Sequence, residues 1–224
     1  GNMNTARSDI GSAGTRDDAL GFGGTGAKTE LYNGTAWNEI NDMNTERGQM
    51  GSCGTSTAAL GIAGGFPIKS NVESWNGYTW TETTDVNTAR RILAAAGTQT
   101  SALAFGGFIP PRSALTESWN GSNWTEVNDL NTARNGLNGS GANNTSCLAF
   151  GGETPPFTAA TELWNGTNWT EVNDLNTARA DLAGDGTATA SLAFGGFTPS
   201  STGATESWNG SNWTNLNSMS TSRG

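Results

Sequence analysis

Apolar residues in this chain come in short bursts, and no stretch repeats them at the i, i+3, i+4, i+7 spacing of a helix face. Between Arg91 and Asp129 the bursts predict four strands. Arg91–Thr98 is a small-residue strand, and Ser101–Phe105 is an apolar strand that closes on Gly106-Gly107. Phe108–Ser113 contains Pro110-Pro111 and reads as a loop, because proline has no N–H to give to a central ladder. Leu115–Trp119 is a third strand, Asn120-Gly121 is a hairpin signal, and Asn123–Val127 is a fourth strand. A two-residue loop would set Trp119 opposite Ser122, and a four-residue loop would set it opposite Trp124. Either register leaves Glu117, Trp119 and Trp124 on one face and Ser118 and Val127 on the other, since side chains alternate.

The pattern then repeats along the chain. Asn-Thr-Ala-Arg stands at Asn4–Arg7, Asn87–Arg90, Asn131–Arg134 and Asn176–Arg179, with Asn-Thr-Glu-Arg at Asn44–Arg47 and Ser-Thr-Ser-Arg at Ser220–Arg223. The spacings are 40, 43, 44, 45 and 44 residues, a period typical of propellers and solenoids. Units therefore run approximately 4–43, 44–86, 87–130, 131–175 and 176–219, within one domain over 1–224. A unit this small cannot bury a core alone. Four short antiparallel strands per unit predict an all-β fold, a five-bladed β-propeller whose blades are four-stranded antiparallel sheets. Each unit also carries an aromatic pair: Tyr32/Trp37, Trp75/Trp80, Trp119/Trp124, Trp164/Trp169 and Trp208/Trp213. Packing of both blade faces against neighbours explains why both carry apolar residues.

These features together resemble the kelch repeat. Its unit has an Arg-containing entry strand, an apolar strand ending in Gly-Gly, an aromatic in the third strand and a Trp in the fourth. Here the glycine pairs are Gly23-Gly24, Gly64-Gly65, Gly106-Gly107, Gly151-Gly152 and Gly195-Gly196. The resemblance covers essentially the whole chain and implies a kelch-like propeller akin to the central domain of galactose oxidase. It departs from the family in having Trp where a third-strand Tyr is usual, and in having five units where six or seven are usual. Two readings follow, a ring that closes with five blades or a stretch of a longer array: Ser220–Arg223, which starts a sixth unit and stops, points toward the second, while five whole blades with no strand to share suit the first.

Histidine is absent, which removes Ser-His-Asp and Cys-His catalysis and imidazole metal sites. The copper chemistry of galactose oxidase needs His and Tyr ligands. It is not carried over to a chain with only Tyr32 and Tyr78. No cofactor is expected. With 11 basic residues and a net charge of −9, no basic stripe offers a nucleic-acid or anionic-membrane surface. No apolar run is long enough to span a bilayer. Cys53 and Cys147 sit at different phases of the repeat and read as small buried strand residues.

The repeating Glu30, Glu73, Glu117, Glu162 and Glu206 match the repeating Arg7, Arg47, Arg90, Arg134 and Arg179. A feature required in every blade reads as an inter-blade ion pair or hydrogen-bonded network rather than as a catalytic ring, and the pattern leaves open whether each Glu partners the Arg of its own or of the next blade. Asp42, Asp85, Asp129 and Asp174, where each fourth strand leaves its blade, could gather a Ca²⁺ in the channel. Asp in such a place more often accepts from its own turn. The tryptophans could stack on sugar rings, but a Trp needed in every blade reads first as core. Asn-Gly-Thr and Asn-Trp-Thr match the glycosylation pattern, yet the hairpin already requires the Asn-Gly pair.

The loops between second and third strands vary where the strands hardly do. The copies at Thr116–Arg134 and Thr161–Arg179 differ at two of nineteen positions. Loops on a rigid scaffold are where binding residues concentrate. Phe66, Lys69, Phe108, Arg112, Phe157 and Phe197 are therefore the candidate contacts. The expectation is a non-enzymatic binding or adhesion module, monomeric if the ring closes, with carbohydrate or protein as ligand. Its composition resembles that of secreted, cell-surface or virion repeats. A structural spacer and a glycan-active enzyme fragment are the alternatives.

Overall fold

A computed structural model describes residues 2–224, and among them there are strands but no helix. Blade 1 is β1 (Gly11–Thr15), β2 (Asp18–Phe22), β3 (Thr29–Tyr32) and β4 (Trp37–Ile40). Blade 2 is β5 (Gly51–Thr55), β6 (Ala58–Gly64), β7 (Lys69–Trp75) and β8 (Trp80–Thr83). Blade 3 is β9 (Ala94–Thr98), β10 (Ser101–Phe105), β11 (Thr116–Trp119) and β12 (Trp124–Val127). Blade 4 is β13 (Asn138–Asn143), β14 (Ser146–Phe150), β15 (Thr161–Trp164) and β16 (Trp169–Val172). Blade 5 is β17 (Ala183–Thr187), β18 (Ala190–Phe194), β21 (Thr205–Trp208) and β22 (Trp213–Leu216), with the short pair β19 (Phe197–Thr198) and β20 (Ser200–Ser201) in its loop. Each blade is an antiparallel meander in chain order, and the whole is a five-bladed β-propeller. The first strands of all five blades line a central cavity of about 470 Å³.

The hairpins adopt the longer of the two loops. Trp119 pairs with Trp124, and Asn120 Oδ1 accepts the amides of Ser122 and Asn123, both at 2.9 Å. Gly121 takes φ 93° inside that loop, which a β-carbon would strain. The first strand of blade 3 starts at Ala94 rather than Arg91, because Ile92 sits at φ 54° and breaks the extended run. Asp9, Gln49, Gly136 and Asp181 occupy the same left-handed position in the other blades. Their backbones link neighbouring blades: Gln49 N donates to Asp9 O (2.9 Å), Ile92 N to Gln49 O (2.7 Å), Gly136 N to Ile92 O (3.1 Å) and Asp181 N to Gly136 O (2.8 Å).

One glycine pair falls out of phase. The amide of Gly64 donates to Arg90 O, as Gly24 does to Arg47 O and Gly107 to Arg134 O. Ala63-Gly64, not Gly64-Gly65, is thus the blade 2 equivalent, and Ala63 takes the left-handed φ of 57° in place of a glycine.

Packing between blades reuses one device. A Phe on the second strand of one blade meets the fourth-strand Trp of the next: Phe22 on Trp80 at 4.7 Å, Phe105 on Trp169 at 5.0 Å, and Phe150 on Trp213 at 5.1 Å between ring centroids. In blade 2 Ile62 replaces the Phe and clusters with Trp119 and Trp124. The indole N–H of Trp80, Trp169 and Trp213 donates to Thr29, Thr116 and Thr161 of the preceding blade at 2.9–3.1 Å. Blade 2 has Val72 at that position, so Trp124 Nε1 turns to Thr84 O instead, at 3.1 Å. Eight of the nine tryptophans are buried in these interfaces, and truncating one to Ala would cost about 3–5 kcal/mol. The contact between blades 5 and 1 is different. Leu192 is 42% exposed, whereas Leu20, Leu60, Leu103 and Leu148 at the same position are fully buried.

Candidate functional site

The five Glu–Arg pairs are internal to their own units, which decides between the same and the next blade. Arg7–Glu30 (3.2 Å), Arg47–Glu73 (2.7 Å), Arg90–Glu117 (2.5 Å), Arg134–Glu162 (2.8 Å) and Arg179–Glu206 (2.7 Å) are all buried from solvent. The pairing follows from the strap that opens each unit. Its arginine side chain enters its own blade, while its carbonyl oxygen accepts from the preceding one. Each carboxylate is also held by the strap. Glu73 accepts from Asn44 N (2.7 Å), Asn44 Nδ2 (3.0 Å) and Thr45 N (3.2 Å) besides Arg47. Burial pulls the guanidinium of Arg47 down from its ordinary value, with Glu73 opposing. The same balance holds for Arg134 against Glu162 and Arg179 against Glu206. These carboxylates have no free face to offer a substrate.

The aspartates are tied to the sheet as well. Asp42, Asp129 and Asp174 accept the amides of Thr29, Thr116 and Thr161 at 3.0–3.1 Å, thirteen residues back along the chain. They therefore cap the third strand of their own blade rather than closing a local turn. Asp85, with Val72 thirteen residues back where the others have Thr, accepts from the hydroxyl of Ser70 at 3.0 Å. None of the four lines the channel, whose acidic residues are Asp181 and Asp185. Among the described residues no group of three or more Cys, Asp or Glu is placed to hold a metal ion.

The sequence-predicted contacts fall into three groups on the loop face. Phe66 is 88% exposed and borders an open pocket of about 510 Å³ with Lys69, Arg91, Gln49, Glu46 and Asp9. Phe108 flanks this pocket, half-buried, and exchanges backbone hydrogen bonds with Arg91 at 2.6 and 3.3 Å. The Arg91 guanidinium lies between two rings, 5.7 Å from Phe66 and 5.0 Å from Phe108, and donates to Gln49 Oε1 at 2.5 Å. Lys69 Nζ donates to Glu46 O at 3.2 Å. Arg112 lies apart from these and is paired with Glu153 of the next loop at 2.8 Å. Phe157 and Phe197 meet edge to face at 5.7 Å, which joins loops 4 and 5. Phe66, Lys69 and Phe108 are thus brought together, whereas Arg112, Phe157 and Phe197 brace loop against loop.

Arg91, Gln49 and Asp9 were not among the sequence-predicted contacts. Arg91 follows the repeated strap arginine, where the other units have Ser8, Gly48, Asn135 and Ala180. That variability, directly after the repeated motif, is the signal that marks it. Partial desolvation at the channel mouth, then the carboxylates of Glu153 and Asp9, push the carboxyl of the still solvent-accessible Asp181 up from its ordinary value. Burial likewise pushes both thiols, Cys53 and Cys147, up to about 12. Comparison with protein-family models and with curated proteins gave no match to this chain.

Proposed function

We propose that this protein is a non-enzymatic binding module of kelch-like design that reads a carbohydrate through the loop face of blades 2 and 3. The observation that carries this reading is the open pocket beside Phe66, where an unshielded ring and the cationic donors Arg91 and Lys69 converge. An exposed aromatic face with adjacent donors suits the apolar face and hydroxyls of a sugar ring. The five buried glutamates and the four turn aspartates are each held by scaffold hydrogen bonds, which argues against an enzyme reading built on them. The buried Trp pairs are not the sugar platform, because their rings cover one another and the neighbouring blade.

A glycan array probed with the purified protein tests this reading. Selective binding that Phe66→Ala and Arg91→Ala each weaken at least about tenfold supports it. Binding that both variants leave intact, or none from a folded monomer, refutes it and favours a protein ligand or a spacer role.

A further inference from the structure

We propose that the seam between blade 5 and blade 1 is the docking site for a further blade of this protein's own kind, one that takes Ser220–Arg223 as its strap. Straps are shared between neighbouring blades. The carbonyl of each strap arginine accepts from the preceding blade: Gly24 N to Arg47 O (3.0 Å), Gly64 N to Arg90 O (2.9 Å), Gly107 N to Arg134 O (2.9 Å) and Gly152 N to Arg179 O (2.9 Å). Gly196 N donates to Arg223 O at 2.7 Å in the same way, and Arg223 N to Thr202 O as Arg179 N does to Thr158 O. Ser220–Arg223 is therefore docked as a strap, in register with the others.

Its side chain has nothing to enter. The five other strap arginines are buried against a glutamate of their own blade, whereas Arg223 is exposed, and among the described residues no carboxylate pairs with it. The face beside it is bare too. Leu192 and Leu216 are 42% and 46% exposed, and Thr205 lacks the indole donor that Thr29, Thr116 and Thr161 receive. Across the seam, Tyr32 and Trp37 of blade 1 present the complementary aromatic face half-exposed. The hydrophobic clusters join blades 1–2, 2–3, 3–4 and 4–5, and among the described residues none joins 5 to 1.

Direct closure of blade 5 onto blade 1 meets an obstacle. Blade 1 already has its own strap, with Arg7 on Glu30, and that strap would need the Gly196 amide which Arg223 occupies. Six straps serve five blades. A second copy of the chain brings the same surplus strap and meets the same obstacle. The occupant that fits is a unit without a strap of its own. Its glutamate takes Arg223, its Trp hairpin covers Leu192 and Phe194, and its second strand meets Trp37.

Leu192→Cys provides the reporter, since both native cysteines are buried. The thiol is labelled with a maleimide in the five-blade protein and in two versions extended after Arg223, one by a copy of residues 135–175 and one by a copy of residues 91–130, so that neither brings a further strap. The proposal expects ready labelling in the first and a slowing of more than about tenfold in at least one extended protein, reversed by Arg223→Ala. Equal labelling in all three, or failure of both added units to be accommodated, overturns it. Slow labelling in the five-blade protein when dilute shows that blade 5 closes on blade 1 and overturns it too. Protection that grows with protein concentration identifies a second copy as the occupant and rejects the added blade.

Discussion

Replacing Glu117 by glutamine puts the scaffold reading of the repeated ion pairs under direct strain. The carboxylate, itself out of solvent, accepts Asn87 N at 2.6 Å, Asn87 Nδ2 at 2.8 Å, Thr88 N at 3.4 Å and Arg90 Nη1 at 2.5 Å. An amide of the same shape keeps one acceptor oxygen and presents an N–H₂ where another donor points. It also leaves the Arg90 charge buried without a counter-charge. Breaking a buried pair from one side costs about 3–5 kcal/mol, which for a chain of this size lowers Tm by about 6–20 °C. Glu126 is the control. It lies directly across the strand pair from Glu117 yet is exposed, so Glu126→Gln should change stability by less than about 0.5 kcal/mol. Thermal and urea unfolding of both variants, followed by Trp fluorescence, compares them. If Glu117→Gln melts within 2 °C (about 0.5–1 kcal/mol) of Glu126→Gln, the buried pair is not what holds the strap, and the reasoning fails.

Further predictions follow from the same contacts. Thr116→Val should cost only about 1 kcal/mol or less by urea unfolding, because Val72 at the equivalent site shows that the indole can find a backbone carbonyl instead. Cys53 and Cys147 should not react with a thiol reagent near pH 8 until the protein is unfolded, since burial holds both thiols protonated. Asp181 has a raised pKa in the folded state, so its ionisation costs stability as pH rises from the unfolded value of about 3.9 through the folded one. Asp181→Asn should therefore raise Tm slightly at pH 7, and the gain should vanish below about pH 4. The effect is small because the side chain still meets solvent.

Much of this fold was legible because each local signal had a single structural meaning. Asn120-Gly121 marked a hairpin, alternation fixed the Trp-bearing face, and five repetitions fixed the blade. The hairpin register was not legible, because both loop lengths put Trp119 on the same face. The geometry of Asn120 Oδ1 accepting two amides decides between them. Gly64-Gly65 misled because Ala63 takes a left-handed φ, where the sequence offers a glycine one residue later. The partner of each glutamate depended on where the strap's side chain and carbonyl separately point, which spacing alone does not encode. At the loop face, Phe66 and Lys69 were readable as loop residues beside Gly65, whereas Arg91 was hidden as the start of a strand. Only the turn at Ile92 lifts it out of the sheet, between Phe66 and Phe108.

On the proposed reading, repeated residues build the propeller while the variable residues around Arg91 bind. The most direct test is a ¹H–¹⁵N NMR titration with the saccharide that binds best on the array. Shift changes confined to the amides around Phe66, Lys69, Gln49 and Arg91, and absent in Arg91→Ala, are the predicted result. Changes centred on the exposed Tyr78 hairpin or on the seam near Trp37, with the Arg91 pocket silent, would contradict it.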